Sequence, residues 1–181
     1  PDKIIVGFVG RLAREKQVER FAEVAALPGV SVVIVGDGPC REKLEKMMPT
    51  AHFTGFASGI QLSQLYASFD VFAHTGVDET FCQAVQEALA SGVPVVAPAA
   101  GGPLDLVQHG LNGFLWSPSR RDTFVQSVNE LVTNYSVRDM CSQNARPSVL
   151  DRTWDSVMTE LVGHYRAVSS GLSFAYQGVA S

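Results

Sequence analysis

Three features of this sequence predict an α/β fold: a parallel sheet of about six strands with helices on both faces. Short apolar runs recur along the chain, most of them closed by glycine or proline. The stretches between them carry apolar residues at helical spacing, so strand alternates with helix. The runs are also apolar at successive positions rather than at every second one, which marks strands covered on both faces.

Taken in order, Ile4 to Val9 is the first strand and ends at Gly10. Val18 to Leu27 places Val18, Phe21, Ala22, Val24, Ala25 and Leu27 on a helix that Pro28-Gly29 stops. Val30 to Val35 is the second strand, closed by Gly36-Asp37-Gly38-Pro39. Pro39 suits the first position of a helix running from Cys40 to Met48. His52 to Thr54 reads as a third strand, Gln61 to Phe69 as a helix, and Val71 to His74 as a fourth strand. A helix then opens on Glu79, carries Glu87 two turns later and ends at Gly92, before Pro94 to Ala97 as the fifth strand. Gly113 to Trp116 is the sixth. Thr123 to Thr133, Val137 to Ala145 and Thr153 to Val168 are helical, with no strand after them. The last lines up Trp154, Val157, Met158, Leu161, Val162 and Tyr165 on one stripe. Ser169 to Ser181 is Gly/Ser/Ala-rich and reads as a flexible tail.

The totals restrict the function. The 181 residues suit one domain with a sizeable core or two very small ones, and 46% apolar content argues for a globular chain. No apolar run reaches the roughly 18 residues of a membrane span. Nothing resembles a signal peptide, and a start at Pro1-Asp2 without Met leads to the expectation of a piece of something longer. Cys40, Cys82 and Cys141 show no CxxC spacing, which favours reduced thiols in a cytoplasmic protein over a disulfide frame or zinc site. A net charge of −4 excludes a broad polyanion-binding face, yet Arg11, Arg14 and Lys16 put three of the 14 basic residues into six positions. That local patch suits a small anion such as a phosphate group.

On an open parallel sheet, ligands sit beyond the carboxyl ends of the strands, where the strand order reverses. Gly10-Arg11, Gly36-Asp37-Gly38, Gly55-Phe56 and His74 to Glu79 all follow strand ends, so the fold gathers them at one crevice. Arg11 offers a planar fork and Lys16 a point charge, a combination suited to a diphosphate, against the plain alternative of two solvated cations. The loop is neither G-x-G-x-x-G nor a Walker loop. Gly36-Asp37-Gly38-Pro39 serves equally as a strand-to-helix turn. Glu79 and Glu87, eight residues apart on one helix, would lie roughly 12 Å apart along its axis and about 80° around it. That spacing excludes a catalytic carboxylate pair and suits two stations of one long ligand. Glu79 could otherwise simply favour the helix dipole. Glu87, on a largely apolar helix, calls for a partner, a ribose diol or a neighbouring Arg. His52 and His74 read as structural, and His109 and His164 as surface residues. Cys82 reads as a small helix-start residue or a thiol of lowered pKa. The amides of Gly101-Gly102-Pro103 either face a sugar or phosphate or only shape a loop.

Together these stretches resemble the donor-binding half of a GT-B glycosyltransferase of family four. The resemblance rests on Gly10-Arg11-Leu12 with Lys16, Gly36-Asp37-Gly38-Pro39, Phe53-Thr54-Gly55, Asp70-Val71-Phe72, Glu79-Thr80-Phe81 through Glu87-Ala88, Ala90 to Ala97 and Gly101-Gly102-Pro103. It spans residues 4 to 117, and Asp151-Arg152-Thr153-Trp154-Asp155 is similar to the start of the family's final helix. The resemblance implies a Rossmann-like domain over residues 1–168, with helix 153–168 crossing to an absent amino-terminal acceptor domain. It also implies a retaining transferase that uses a nucleotide-diphosphate sugar. Arg11 and Lys16 would hold the diphosphate beside Gly10. Glu79 would bond the sugar hydroxyls, with Thr80 nearby and the amides of Phe81 and Cys82 helping. Glu87 would take the ribose, and the base would lie against Phe56-Ala57. Arg11, Lys16 and Glu79 are the expected catalytic set.

Within the family, His74-Thr75-Gly76 and Glu79 to Gln83 look most like GDP-mannose-dependent α-mannosyltransferases of bacterial glycolipid synthesis. GDP-mannose is therefore favoured over a UDP-sugar. No metal is expected, since the cations do a divalent ion's work and no Asp-x-Asp motif occurs. The expected partners are a nucleotide sugar and a lipid or glycan acceptor, at the inner face of the plasma membrane through the absent domain; nucleic acid is not expected. Cys82 stands where many members have Gly. The alternatives are a GT-B nucleotide-sugar 2-epimerase and a non-catalytic nucleotide-binding module.

Overall fold

The computed structural model describes residues 3–120 and 122–169. Six strands form one sheet: β1 (Ile4–Val9), β2 (Val30–Val35), β3 (His52–Gly55), β4 (Val71–Ala73), β5 (Val95–Pro98) and β6 (Gly113–Trp116). Their order is β3-β2-β1-β4-β5-β6, and every neighbouring pair is parallel. β1 pairs with β2 from Ile4 opposite Val30 to Val9 opposite Val35, and with β4 at Val6 opposite Val71. The chain therefore builds outward from β1 in one direction and then returns to build outward from it in the other. The reversal falls between β1 and β4, and the loops leaving these two strands are neighbours.

Eight α-helices accompany the strands among the described residues: α1 (Phe21–Ala25), α2 (Arg41–Met47), α3 (Gly59–Ala67), α4 (Gln83–Ala90), α5 (Pro103–Leu106), α6 (Asp122–Thr133), α7 (Tyr135–Ala145) and α8 (Trp154–Ser169). The apolar strands feed two cores. Val6 and Phe8 of β1 pack with Phe21, Val24, Leu44, Phe124 and Val128, whereas Ile5 and Val9 meet the cluster of Tyr66, Phe72, Val85, Leu89 and Leu106. Successive strand residues point to opposite faces, so a continuous apolar run serves both cores. Phe8, Phe21, Phe124 and Trp116 form a chain of edge-on rings with centroids 5.6 to 5.7 Å apart. Burying each such side chain contributes roughly 1.5–3 kcal/mol.

All six predicted strands form, and the differences lie at element ends. The helix expected over Val18 to Leu27 divides into a 3₁₀ turn (Val18–Arg20) and a short α1. α2 starts at Arg41, so Pro39 precedes the helix instead of opening it. β4 stops at Ala73, before His74. The largest difference concerns the helix expected to open on Glu79. α4 begins only at Gln83, behind Cys82 in the left-handed region at φ 63°, ψ 63°. Glu79 is a loop residue, and the 12 Å helical separation from Glu87 does not apply.

A body through Val149 and a unit from Leu150 onward are separately compact. In the second unit, α8 spans the predicted helix, and Trp154, Val157, Met158, Leu161, Val162 and Tyr165 are exposed along it. Most of the expected flexible tail, residues 170–181, lies outside the described residues. Among the described residues no helix is long and apolar enough to cross a membrane.

Candidate functional site

The loop after β1 is held by the loop after β2. The Gly10 amide donates to the Val35 carbonyl (3.0 Å) and the Leu12 amide to the Asp37 carbonyl (2.9 Å). Gly36 sits at φ +129°, where a Cβ would stand 2.0 Å from the Gly10 carbonyl oxygen. No side chain fits there. The Asp37 carboxylate accepts from the Gly38 amide (2.7 Å) and from Arg41 (3.2 Å). The Gly36-Asp37-Gly38 stretch is thus a buttress for the Gly10–Leu12 loop.

Across the switch point, the loop after β4 carries His74 and Glu79 over the same crevice. Glu79 Oε1 accepts from Lys16 Nζ and from His74 Nε2, the latter at 3.0 Å. Both contacts fall on one oxygen, Oε1. The His74 contact, ahead of the Lys16 contact, holds the Glu79 carboxyl down at about 2, against the opposing effect of burial. His74 is 2% exposed, and its ring stacks between Phe8 and Phe72 at 6.0 and 6.5 Å. Its backbone carbonyl accepts from the Trp116 indole at 3.1 Å. Its Nδ1 is buried without a hydrogen-bond partner, which assigns the proton to Nε2, facing Glu79. Gly76 lies over this cluster: a Cβ there would stand 3.0 Å from Glu79 Oε1 and 3.1 Å from His74 Nε2.

The backbone around Glu79 is held from a third loop. The Gly102 amide donates to the Glu79 carbonyl at 2.8 Å, and a Cβ on Gly101, at φ +58°, would stand 2.2 Å from that oxygen. The Gly102 amide is therefore spent within the protein and does not face a sugar or phosphate. Cys82 follows, buried, in the left-handed conformation that glycine adopts without strain. Burial pushes its thiol up to about 12, which overturns the lowered-pKa reading and leaves the small helix-start residue.

Val9, Gly10, Arg11, Glu15, Lys16, His74, Glu79, Cys82, Gln83 and Ala84 line a cleft of about 380 Å³. Five of the ten residues singled out in the sequence meet there: Gly10, Arg11, Lys16, Glu79 and Cys82. Arg11 is exposed and paired with Glu15, while Lys16 is partly covered and paired with Glu79. Glu87 lies outside this lining, one turn along α4, and Gln83 links it to the cleft by donating to Glu87 Oε1 at 3.0 Å. Its second partner is the Tyr66 hydroxyl, which donates to Oε2 at 2.9 Å, and among the described residues no Arg is paired with it. Thr80 and Phe81 are exposed, and Phe56 (78% exposed) and buried Ala57 form the loop between β3 and α3.

Sequence reasoning gave Gln83 and Tyr66 no part in the site, and it placed His74 at the crevice as a structural residue without foreseeing its bond to Glu79. The pairing of His74 with Glu79 has a local signal, since His74 is the first polar residue after a buried strand and Glu79 follows five positions on. Gln83 stands four positions before Glu87, within helical reach. Nothing local points to Tyr66. A ring nitrogen of His74, a Glu79 oxygen and Cys82 Sγ lie within 4.8 Å of one another, a trio of metal-capable atoms. The Lys16 ammonium is paired with Glu79 Oε1 beside this trio.

A Rossmann-like sheet with a cationic, carboxylate-lined crevice at its switch point defines a nucleotide-binding architecture. The chain belongs to the glycosyl transferases of group 1, whose family model matches residues 1–148. It is 54% identical over 165 residues to a GDP-mannose-dependent alpha-mannosyltransferase of Mycolicibacterium smegmatis, covering 91% of this chain and 43% of that protein. It is 52% identical over 170 residues to the protein of the same name from Mycobacterium tuberculosis, covering 93% and 44%. The crystal structure of Anabaena Alr3699/HepE in complex with UDP and glucose superposes with a TM-score of 0.78 at 27% identity, covering 93% of this chain and 49% of that one. The chain thus spans less than half the length of the curated relatives it matches.

Proposed function

We propose that this chain is the donor-binding part of a longer retaining glycosyltransferase that moves mannose from GDP-mannose to a lipid or glycan acceptor. The observation that carries this reading is the cleft at the switch point, where Lys16, Arg11 and Glu79 converge in a chain 54% identical to a protein named for that donor. Lys16 has three donor protons, so it can keep Glu79 and still bond a diphosphate. Arg11, exposed beside it, adds a second cation. As the bond from the sugar to the diphosphate breaks, negative charge gathers on the departing nucleotide. Preplaced cations stabilise it there without the help of a metal. Glu79 Oε2 receives hydroxyls of the sugar, the amides of Phe81 and Cys82 add donors, and Glu87 takes the ribose. The base rests on the loop at Phe56-Ala57.

The acceptor half lies in an amino-terminal domain outside these residues, to which helix 153–168 crosses. The chain alone is accordingly silent in transfer, and the whole enzyme works on the cytoplasmic face of the membrane. Calorimetric titration of the chain with GDP, UDP and ADP tests the donor assignment. GDP is expected to bind at least about tenfold more tightly than the other two, a difference of about 1.4 kcal/mol. Absence of binding by all three at millimolar concentration overturns the donor site. A preference for UDP overturns the assignment of the base.

A further inference from the structure

The Glu87 carboxylate has two partners, both uncharged. Tyr66 reaches it from α3 and Gln83 from the first turn of α4, one on each oxygen. No cation is paired with it among the described residues. A carboxylate offers about four acceptor positions, so two remain when the clamp is closed. Two is the number of hydroxyls in a vicinal diol. Tyr66 is 2% exposed and wedged against Phe69 and Phe72, with ring centroids 6.0 and 5.7 Å away, so its hydroxyl has little freedom. Burial first, and the Glu87 charge second, push its phenol up from the ordinary value, so it stays a donor at all working pH values. α3, which carries Tyr66, also begins just after Phe56-Ala57.

We propose that Tyr66 is a positioning residue: with Gln83 it turns the Glu87 carboxylate so that its remaining acceptor sites face both hydroxyls of a ribose, making the site selective for ribo- over 2′-deoxyribonucleotides. The inference rests on the reading of Glu87 as the ribose ligand. A carboxylate free to rotate would still attract a hydroxyl but would lose the two-point register. Neutral donors suit this role, since a cation would neutralise the anion that the diol needs.

Affinities of GDP and 2′-deoxy-GDP, measured for the 181-residue chain, test it. The original chain is expected to favour GDP by about 10- to 50-fold, the scale of one charged hydrogen bond lost. Tyr66→Phe keeps the ring and is expected to cut that preference to about threefold or less, chiefly by weakening GDP. Gln83→Leu, at an exposed position, is expected to cut it by an intermediate factor and keeps the test open should Tyr66→Phe not fold. A purely structural role for Tyr66 would weaken both nucleotides alike and leave the ratio unchanged, which overturns the inference. If Glu87→Gln abolishes the preference and neither clamp variant changes it, the ribose reading stands and the positioning role falls. If the original chain shows no preference at all, the ribose reading itself fails.

Discussion

Two glutamates on either side of Cys82 have been prepared in opposite ways. Glu79 sits in a loop, with Lys16 and His74 both on one of its oxygens. Glu87 sits on a helix, with one neutral donor on each oxygen and no cation paired with it among the described residues. The first carboxylate shares its charge with a cation that an incoming anion can also use. The second has only neutral donors as its partners among the described residues. The same side chain meets two different environments because its neighbours differ, and in the proposed reading these suit two different parts of the donor.

The most severe test of this contrast is the cation. Lys16→Ala in the full-length enzyme is expected to lower kcat/KM for GDP-mannose about 100- to 1,000-fold, the range for losing one preplaced charge-stabilising group. Arg11→Ala, at an exposed residue already paired with Glu15, is expected to cost about tenfold or less. Steady-state transfer rates measure both, and equal effects would remove the distinction between the covered cation and the exposed one.

A smaller effect is expected in stability. The Glu79 carboxyl is held at about 2, below its ordinary 4.5, so its contribution is present above about pH 4.5 and fades as pH falls toward 2. Glu79→Gln is expected to flatten this acid limb by on the order of 2 kcal/mol in urea unfolding between pH 5 and 3. An unchanged slope would show that the Lys16–Glu79–His74 cluster does not hold in solution.

The finest test lies between the two glutamates. Cys82→Gly relieves the left-handed backbone but gives up a buried thiol, so unfolding is expected to move by less than about 1 kcal/mol. Cys82→Val, β-branched at φ 63°, is expected to cost about 2 kcal/mol or more. Equal costs for the two would mean that the left-handed turn does not set where α4 begins.

Much of the fold was legible because each strand is a short apolar run ending at a turn signal, as with Ile4–Val9 before Gly10 and Val30–Val35 before Gly36. Gly10, Arg11 and Lys16 were legible too, since any residue that follows a central strand on a parallel sheet faces the crevice. Glu79 was found by its motif but placed on the wrong element. Helical periodicity extends back through Thr80 and Phe81, and nothing local reports that Gly101 and Gly102 press on that backbone from a separate loop. The pairing of Tyr66 with Glu87 spans 21 residues and two helices, which no spacing rule covers.

By itself, then, the sequence determined the strands, the parallel order of layers and which loops face the crevice, because periodicity and turn chemistry act over a few residues. Only the tertiary structure decided which charges meet. It set Lys16 and His74 on Glu79, gave Glu87 its neutral clamp and turned Cys82 out of the helix. Those contacts depend on loops brought together across the switch point, and a contact of that range costs the chain nothing it could record in its local pattern.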